Sequence, residues 1–541
     1  MNTIDFIISA EKENWGQVLE DFLKYSLNVF AFPELNDGTK RKDVWKALYN
    51  IAKLSDDPNT IKNSFIAVRI LSREKGHLLE VINDDWTELM KEYSALNKDK
   101  FDLNDDQKNI CIEVLKCFSN ILFNSRQLAM KTVENGIFEG LTKRIANLGD
   151  GSTPEEIKFM DMRLVFLITA LCPEARSKAK HMIDLLIQIL DDNLKKAAEN
   201  HLGHENLPPI FLTDIQVNLS SEILKVLFNI TIGVDESEPE VLASCLALVK
   251  LLRSYLIIPS TDLDKTWTLR NDAINLLTNM PEDTYKHLVP PTDDHSQILK
   301  SLQFEGHNMT VLFEILMCLK AKFNDYPKIS NQHEVLSPIV TVLLKGAISY
   351  RPIRKFLRIQ ILPPLKDVYS RPEEGDALRN HLCRMLTTPI TQLRDLVAEL
   401  LFVLCKKNVP RMIKYTGYGN AAGLFAQKGL LAGGRDQSDV DYSSDSEDSE
   451  TEEYADSKHG INPVIGCYEE PRRSCLENMS EEQKEYEAMK LVELMDSLMA
   501  SGKIRPCVVG EDGKPKPVEH VLQLRDGLKN QQVPKNGNES D

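Results

Sequence analysis

Three stretches of this 541-residue chain repeat one arrangement of polar side chains: Glu113, Lys116 and Asn120; Glu222, Lys225 and Asn229; Asp272, Asn275 and Asn279. An acid, a cation or amide, and an asparagine at i, i+3 and i+7 can make ion pairs and donate to backbone carbonyls. That is the chemistry of holding another chain, not of breaking bonds. Arg69, Arg73 and Lys75 form a basic cluster in which Arg69 and Arg73 stand at i and i+4. With Asn120 on a neighbouring helix they could receive a partner's carbonyls or terminal carboxylate, or be an ordinary surface pair. Arg351, Arg354, Lys355 and Arg358 crowd one helical face, where they repel one another and call for an anionic partner or full hydration. The chain has no Walker A loop, no Gly-x-Ser-x-Gly, no His-Glu-x-x-His and no kinase catalytic loop. Gly417, Gly419 and Gly423 have the wrong spacing for a dinucleotide loop and follow a helix, so a glycine turn is expected. His201 and His204 have no further ligands nearby in sequence. No catalytic residue, metal or cofactor is expected.

A candidate anion lies within the chain itself. From Asp436 to Asp456 there are ten Asp or Glu, no Lys or Arg, five serines and one threonine. So acidic a run cannot bury enough apolar surface to offset its ordering entropy, and a solvated strap is expected. Ser438, Ser444 and Ser449 each have an acid three residues on, which suits an acidophilic, casein-type kinase. Phosphates on two of them would add about −3 to −4 charge and could take charge-assisted hydrogen bonds from the Arg351 face.

These groups must be carried by helices. Apolar residues recur at helical spacing along most of the chain, broken by Pro and Gly clusters. Residues 113–123, 222–232 and 272–281 echo one another, apolar except for the polar stripe. A helix packed on most sides that shows one edge to water is the inner helix of an α-solenoid, its stripe lining the concave groove. The interval between the first two copies leaves room for one more unit, with its inner helix over 163–171 and a poor stripe. Later units are expected over 335–347, 376–387 and 393–406. Ser480 with Gln483 makes a capping box for a helix to about Met499. Tyr486, Met489, Val492, Met495 and Met499 form its apolar face, either docked back as a cap or offered to a partner. The expected organisation is all-α: an armadillo/HEAT-like superhelical solenoid over 1–430, a disordered acidic phosphorylatable linker over 431–478, an amphipathic helical arm over 479–501, and a variable, mostly disordered tail over 502–541.

Composition bounds the rest. A net charge of −16 argues against a general nucleic-acid binder. No signal core, no apolar window of membrane-spanning length and no prenylation box is visible. Ten scattered cysteines without a Cys-x-x-Cys read as reduced thiols. A soluble, intracellular chain is expected.

Several runs resemble the synembryn family (resistance to inhibitors of cholinesterase): 69–73, 224–231, 353–357, 362–368, 414–424, 451–454 and 481–492, in the family's order. The resemblance covers about residues 60–500, and 414–424 and 481–492 are its most specific parts. It implies an armadillo/HEAT-type solenoid that is a chaperone and non-receptor guanine-nucleotide exchange factor for heterotrimeric G-protein alpha subunits. Such proteins bind GDP-Gα without Gβγ, stabilise the nucleotide-free state and release on GTP binding, with no covalent chemistry. It implies a groove for the last Gα helix at Arg69, Arg73 and Asn120, and a basic face at Arg351, Arg354 and Lys355 for the phosphorylated strap. It implies phosphoacceptors at Ser444 and Ser449, and partner contact through Tyr486, Met489, Val492 and Met495. A cytoplasmic monomer follows, recruited to the cell cortex or plasma membrane only through Gα. The competing reading is a general armadillo-type peptide scaffold or transport adaptor without exchange activity.

Overall fold

The computed structural model describes residues 3–98, 101–147, 153–197, 210–233, 238–292, 300–324, 331–433, 451–470 and 479–518. The chain divides into two compact units, Met1–His287 and Leu288–Asp541. In both, the described elements are helices joined by short connections, with only two- and three-residue strand pairs besides.

The first unit is built on a row of five helices packed in chain order: Pro58–Leu71, Asp105–Asn124, Glu155–Leu171, Asp214–Ile230 and Leu263–Leu277. Local signals set their starts. The Asp57 side chain accepts from Thr60 N at 2.9 Å, ahead of Pro58 in the first turn. Asn104 with Gln107 and Thr213 with Gln216 form reciprocal capping boxes, and Asp262 caps the fifth helix. A second layer covers them, including Ile183–Ala197 against the fourth and Pro239–Ile257 against the fifth. Leu224, Val226, Leu227 and Ile230 are fully buried, so the fourth helix is packed on most of its circumference. The unit expected over 163–171 is present as the third helix.

The polar stripe departs from expectation. It does not face water along its length, because it lies in the seams between successive helices. Asn120 Nδ2 donates to Arg69 O at 2.9 Å and Ser72 Oγ at 3.2 Å. Asn229 donates to Phe166 O at 3.2 Å and Thr169 Oγ1 at 3.0 Å, and Asn279 to Phe228 O at 2.8 Å and Thr231 Oγ1 at 3.0 Å. Each asparagine thus ties its helix to the C-terminal part of the one before, where carbonyls run out of intrahelical donors. The acids pair the same way: Arg69 Nε lies 3.2 Å from Glu113, Arg163 3.0 Å from Glu222, and Lys225 3.9 Å from Asp272. The third helix carries Leu167 where its neighbours carry asparagine, since Phe166 and Thr169 correspond to Phe228 and Thr231, which explains its poor stripe.

Asp272 is the most constrained of these groups. Burial pushes its carboxyl up to about 6, against the pull of Lys225 and the hydrogen bond from Ser221 Oγ. A carboxyl with a higher pKa in the folded state binds its proton more tightly there. Its stabilisation is complete below the unfolded value and is lost as pH rises through about 6. Relative to Asp272→Asn, the natural protein should lose about 2–3 kcal/mol between pH 4 and pH 7. Urea unfolding of both proteins at the two pH values checks this; parallel behaviour would contradict it.

The second unit has as its main helices Thr310–Asn324, Gln332–Ser349, Arg351–Ile361, Leu378–Met385, Thr391–Leu404, Val409–Thr416 and Tyr418–Lys428. Gln332–Ser349 packs on Thr391–Leu404, and the expected units over 335–347, 376–387 and 393–406 fall on these helices. The nine described cysteines are free, and no described helix is long and apolar enough to cross a membrane.

Two expectations are corrected here. Residues 451–470, assigned by composition to the linker, fold onto this unit. Thr451 caps the Glu452–Ser457 helix and its Oγ1 donates to Leu365 O; Tyr454 is buried, with Lys414 Nζ 4.3 Å from its ring centroid. Ile461–Asn462 and Cys467–Tyr468 pair as a hairpin, and Tyr468 N donates to Val368 O at 2.7 Å. The hairpin sits on the glycine turn, where Tyr418 N and Gly419 N donate to Pro463 O and Val464 O at 2.8 and 2.9 Å. Gly466, at φ 74°, lies so close to Gly417 and Pro372 that it has no room for a Cβ, and Gly417, at φ 73°, is tight against the same hairpin. The glycines therefore serve backbone-to-backbone contact. Part of the supposed tail is ordered too, with Cys507–Val509 pairing with Pro515–Pro517.

Candidate interaction site

The groove residues meet at the C-terminal end of Pro58–Leu71. Arg69 is in its last turn, its side chain shared with Glu113, which also takes Lys116 Nζ at 3.0 Å. Arg73 does not share a helical face with Arg69, because the helix ends at Leu71 and Ser72 closes it. Beyond that end Arg73 turns toward the Leu27–Phe30 segment. Its Nη1 donates to Leu27 O at 2.9 Å and Val29 O at 2.7 Å, and its guanidinium lies 4.9 Å from the Phe30 ring centroid. Glu74 is drawn inward by Arg41 and by Phe32 N, so the turn presents two cations and withholds its acid. Lys75 Nζ lies 5.7 Å from the ring centroid of Phe123.

The result is a cationic turn flanked by two exposed phenyl rings, Phe30 at 72% and Phe123 at 64% exposure. Exposed aromatics beside cations with no described acidic partner suit a ligand that is apolar and anionic at one end. Asn120 supports the turn from beneath through Arg69 O and Ser72 Oγ, so its amide is already spent. Sequence reasoning missed Phe30, Lys75's ring contact and Phe123. Phe123 was findable: it continues the stripe at i+3 from Asn120, as half-exposed Ile232 continues it from Asn229.

The second unit carries the basic face. Ile353, Phe356, Leu357 and Ile361 are buried, and on the opposite face Arg351 is exposed while Arg354, Lys355 and Arg358 are half-buried. The face is partly engaged by its own unit: Lys355 Nζ lies 2.8 Å from Glu305, Arg354 donates to Ala347 O at 3.0 Å, and Arg358 to the Tyr415 hydroxyl at 3.3 Å. Burial pushes the Tyr415 hydroxyl's pKa up, so it stays a neutral acceptor. Ser444 and Ser449 lie outside the described residues, as do His201 and His204.

The C-terminal helix spans Glu481–Ala500 with the expected Ser480–Gln483 capping box. None of its residues is buried, so it is not packed down as a cap. Tyr486 and Met489 are largely exposed, Val492 and Met495 half-buried, and Leu491 and Leu494 add exposed apolar surface on a second side. Among the described residues no group of three His, Cys, Asp or Glu could hold a metal ion.

Comparison with known proteins agrees with this picture. Residues 65–514 match the family model of the guanine nucleotide exchange factor synembryn, Ric8. The chain is 36% identical to Chaperone Ric-8 of Drosophila melanogaster, over 97% of each chain. It is 36% identical to Chaperone Ric-8A of Gallus gallus, over 95% of each. Among solved structures, the karyopherin Kap121p bound to the SUMO protease Ulp1p aligns at a TM-score of 0.28 and 14% identity, over 79% of this chain and 44% of that one; this likeness is too distant to bear on function. The matched span takes in both compact units, the cationic turn, the basic face and the exposed C-terminal helix, and by it this chain belongs to the synembryn family of guanine nucleotide exchange factors.

Proposed function

We propose that this protein is a chaperone and non-receptor guanine-nucleotide exchange factor for heterotrimeric G-protein alpha subunits. The observation that carries the proposal is the seat formed by Arg73, Lys75, Phe30 and Phe123, with Arg69 beside it and Asn120 beneath. It offers apolar surface and positive charge to the end of a chain, which suits the last helix of Gα with its free carboxylate. The exposed helix Glu481–Ala500 would contact the Ras-like part of the same Gα through Tyr486, Met489, Val492 and Met495. The relatives named as chaperones support the same reading.

Exchange then needs no covalent chemistry. A protein that binds nucleotide-free Gα more tightly than GDP-Gα expels GDP by that difference in affinity, and GTP binding reverses it. Ser444 and Ser449, phosphorylated by an acidophilic kinase, would place their phosphates on the face of Arg351, Arg354 and Lys355. The docking of Thr451 and Tyr454 supports this, because it fixes the chain two residues beyond Ser449 to the unit that bears the basic helix. The protein would act as a cytoplasmic monomer, reaching the cortex or plasma membrane through Gα.

The test is capture of GDP-loaded Gα, intact or lacking its last helix, followed by uptake of a GTP analogue. Intact Gα should be captured and exchanged, and the truncated form lost by about a hundredfold, as expected when a dominant anchor is removed. Phe30→Ala with Phe123→Ala should weaken capture of intact Gα about tenfold. Equal capture of both forms, or no preference for nucleotide-free over GDP-loaded Gα, would overturn the proposal.

A further inference from the structure

The turn of the hairpin of Cys507–Val509 and Pro515–Pro517 lies on the C-terminus of the Tyr418–Lys428 helix in the second unit. Leu431 N donates to Gly513 O at 3.3 Å. Gly429 ends the helix in the left-handed region at φ 71°, and Gly513 in the hairpin turn has φ 68°. The two backbones touch: a Cβ on Gly513 would lie far inside van der Waals contact distance of Gly429 O, and one on Gly429 would crowd Asp512 O. Both glycines are thus required twice, for backbone conformation and for approach.

This contact lies beyond the C-terminal helix, whose upstream side is already fixed by the hairpin at 461–468 through Tyr468 N and Val368 O. The helix Glu481–Ala500 is therefore held on both sides while burying none of its own residues. A helix of 20 residues with none of them buried would otherwise swing as a tail tethered at one end. Closing its second end restricts where it can go and raises its effective concentration at any partner already held by the same protein.

We propose that the 505–518 hairpin is a latch that seats on Gly429–Leu431 and positions the C-terminal helix as a strap closed at both ends. This rests on the reading that the helix contacts Gα, and the latch is a positioning element for that contact. Its seat is small and made of backbone, so it holds by geometry and releases readily.

The experiment uses the full-length protein with Gly513→Val, and a second variant ending after Gly502 that removes the hairpin without straining it. Both leave every residue of the helix in place. Trypsin cleavage at Lys503 reads latch closure in the Gly513→Val protein, and affinity for GDP-loaded Gα reads its consequence. Faster cleavage in Gly513→Val and about tenfold weaker binding in both variants, of the size expected when an intramolecular contact loses its second tether, support the latch. Tyr486→Ala with Met489→Ala separates the two layers of the proposal. If this pair weakens Gα binding but neither latch variant does, the latch is wrong and the helix reading stands. If the pair has no effect either, the helix reading itself fails. Unchanged cleavage in Gly513→Val would show that the hairpin is not seated on Gly429, which also overturns the latch.

Discussion

Replacing Asp161 with alanine should lower the stability of the first unit by about 3–5 kcal/mol, because it strands a buried guanidinium. Asp161 is fully buried on Glu155–Leu171, and Arg144 reaches it from Ile137–Ala146 with Nε at 2.8 Å and Nη2 on the second oxygen. Arg144 Nη1 donates to Ser94 O, so the pair ties three segments together. Taking both charges out of water is costly, and their mutual attraction offsets that cost only while both are present. Arg144→Met with Asp161→Leu should therefore recover most of the loss. Urea unfolding of the two variants beside the natural protein decides it; Asp161→Ala within about 1 kcal/mol of the natural protein would show that the pair contributes little. Such a loss in the unit that carries the cationic turn should also reduce Gα capture at raised temperature while leaving it intact in the cold.

Reversing charge on the basic face, Arg351→Glu with Arg354→Glu, should reduce exchange about tenfold in phosphorylated protein, the sum of several exposed ion pairs at about 0–1 kcal/mol each. The effect belongs to the strap only if it depends on phosphate. Protein never exposed to the kinase should show little further loss from the same substitutions, and high salt should narrow the difference, since exposed pairs are screened. Protease sensitivity within 436–456 is the companion readout, rising in the phosphorylated double variant. Equal exchange and equal sensitivity in the natural and substituted proteins would remove this role from the basic helix. Arg354 also holds Ala347 O, so an unfolding measurement on the double variant separates local loosening from loss of the strap.

Much of this was legible in sequence because it is local. Helical spacing, the caps at Asn104, Thr213, Asp262 and Ser480, and the outward arginines of Arg351–Ile361 depend on residues within a turn or two of one another. The repeat of acid, cation and asparagine gave the order of the inner helices and located the missing copy, since each unit must bury its faces against the next. The runs that resemble synembryn carried the family.

What sequence could not supply is which partner each polar group meets. Asn120, Asn229 and Asn279 read as a ladder open to solvent, yet each is turned to a carbonyl 51 to 63 residues away on the preceding helix. Only packing decides whether a stripe faces water or a seam. Arg73 likewise reads as helical until the chain ends its helix at Leu71 and the carbonyls of Leu27 and Val29 accept its hydrogen bonds. Composition marked 451–470 as solvated, but a few contacts outweigh an acidic average: a buried Tyr454, a glycine-to-glycine approach and a hairpin. The sequence by itself therefore determined the helices, their repeat and the family. The tertiary structure alone decided which charges are spent inside the fold and which are left for a partner, because desolvation and pairing depend on neighbours distant in the chain.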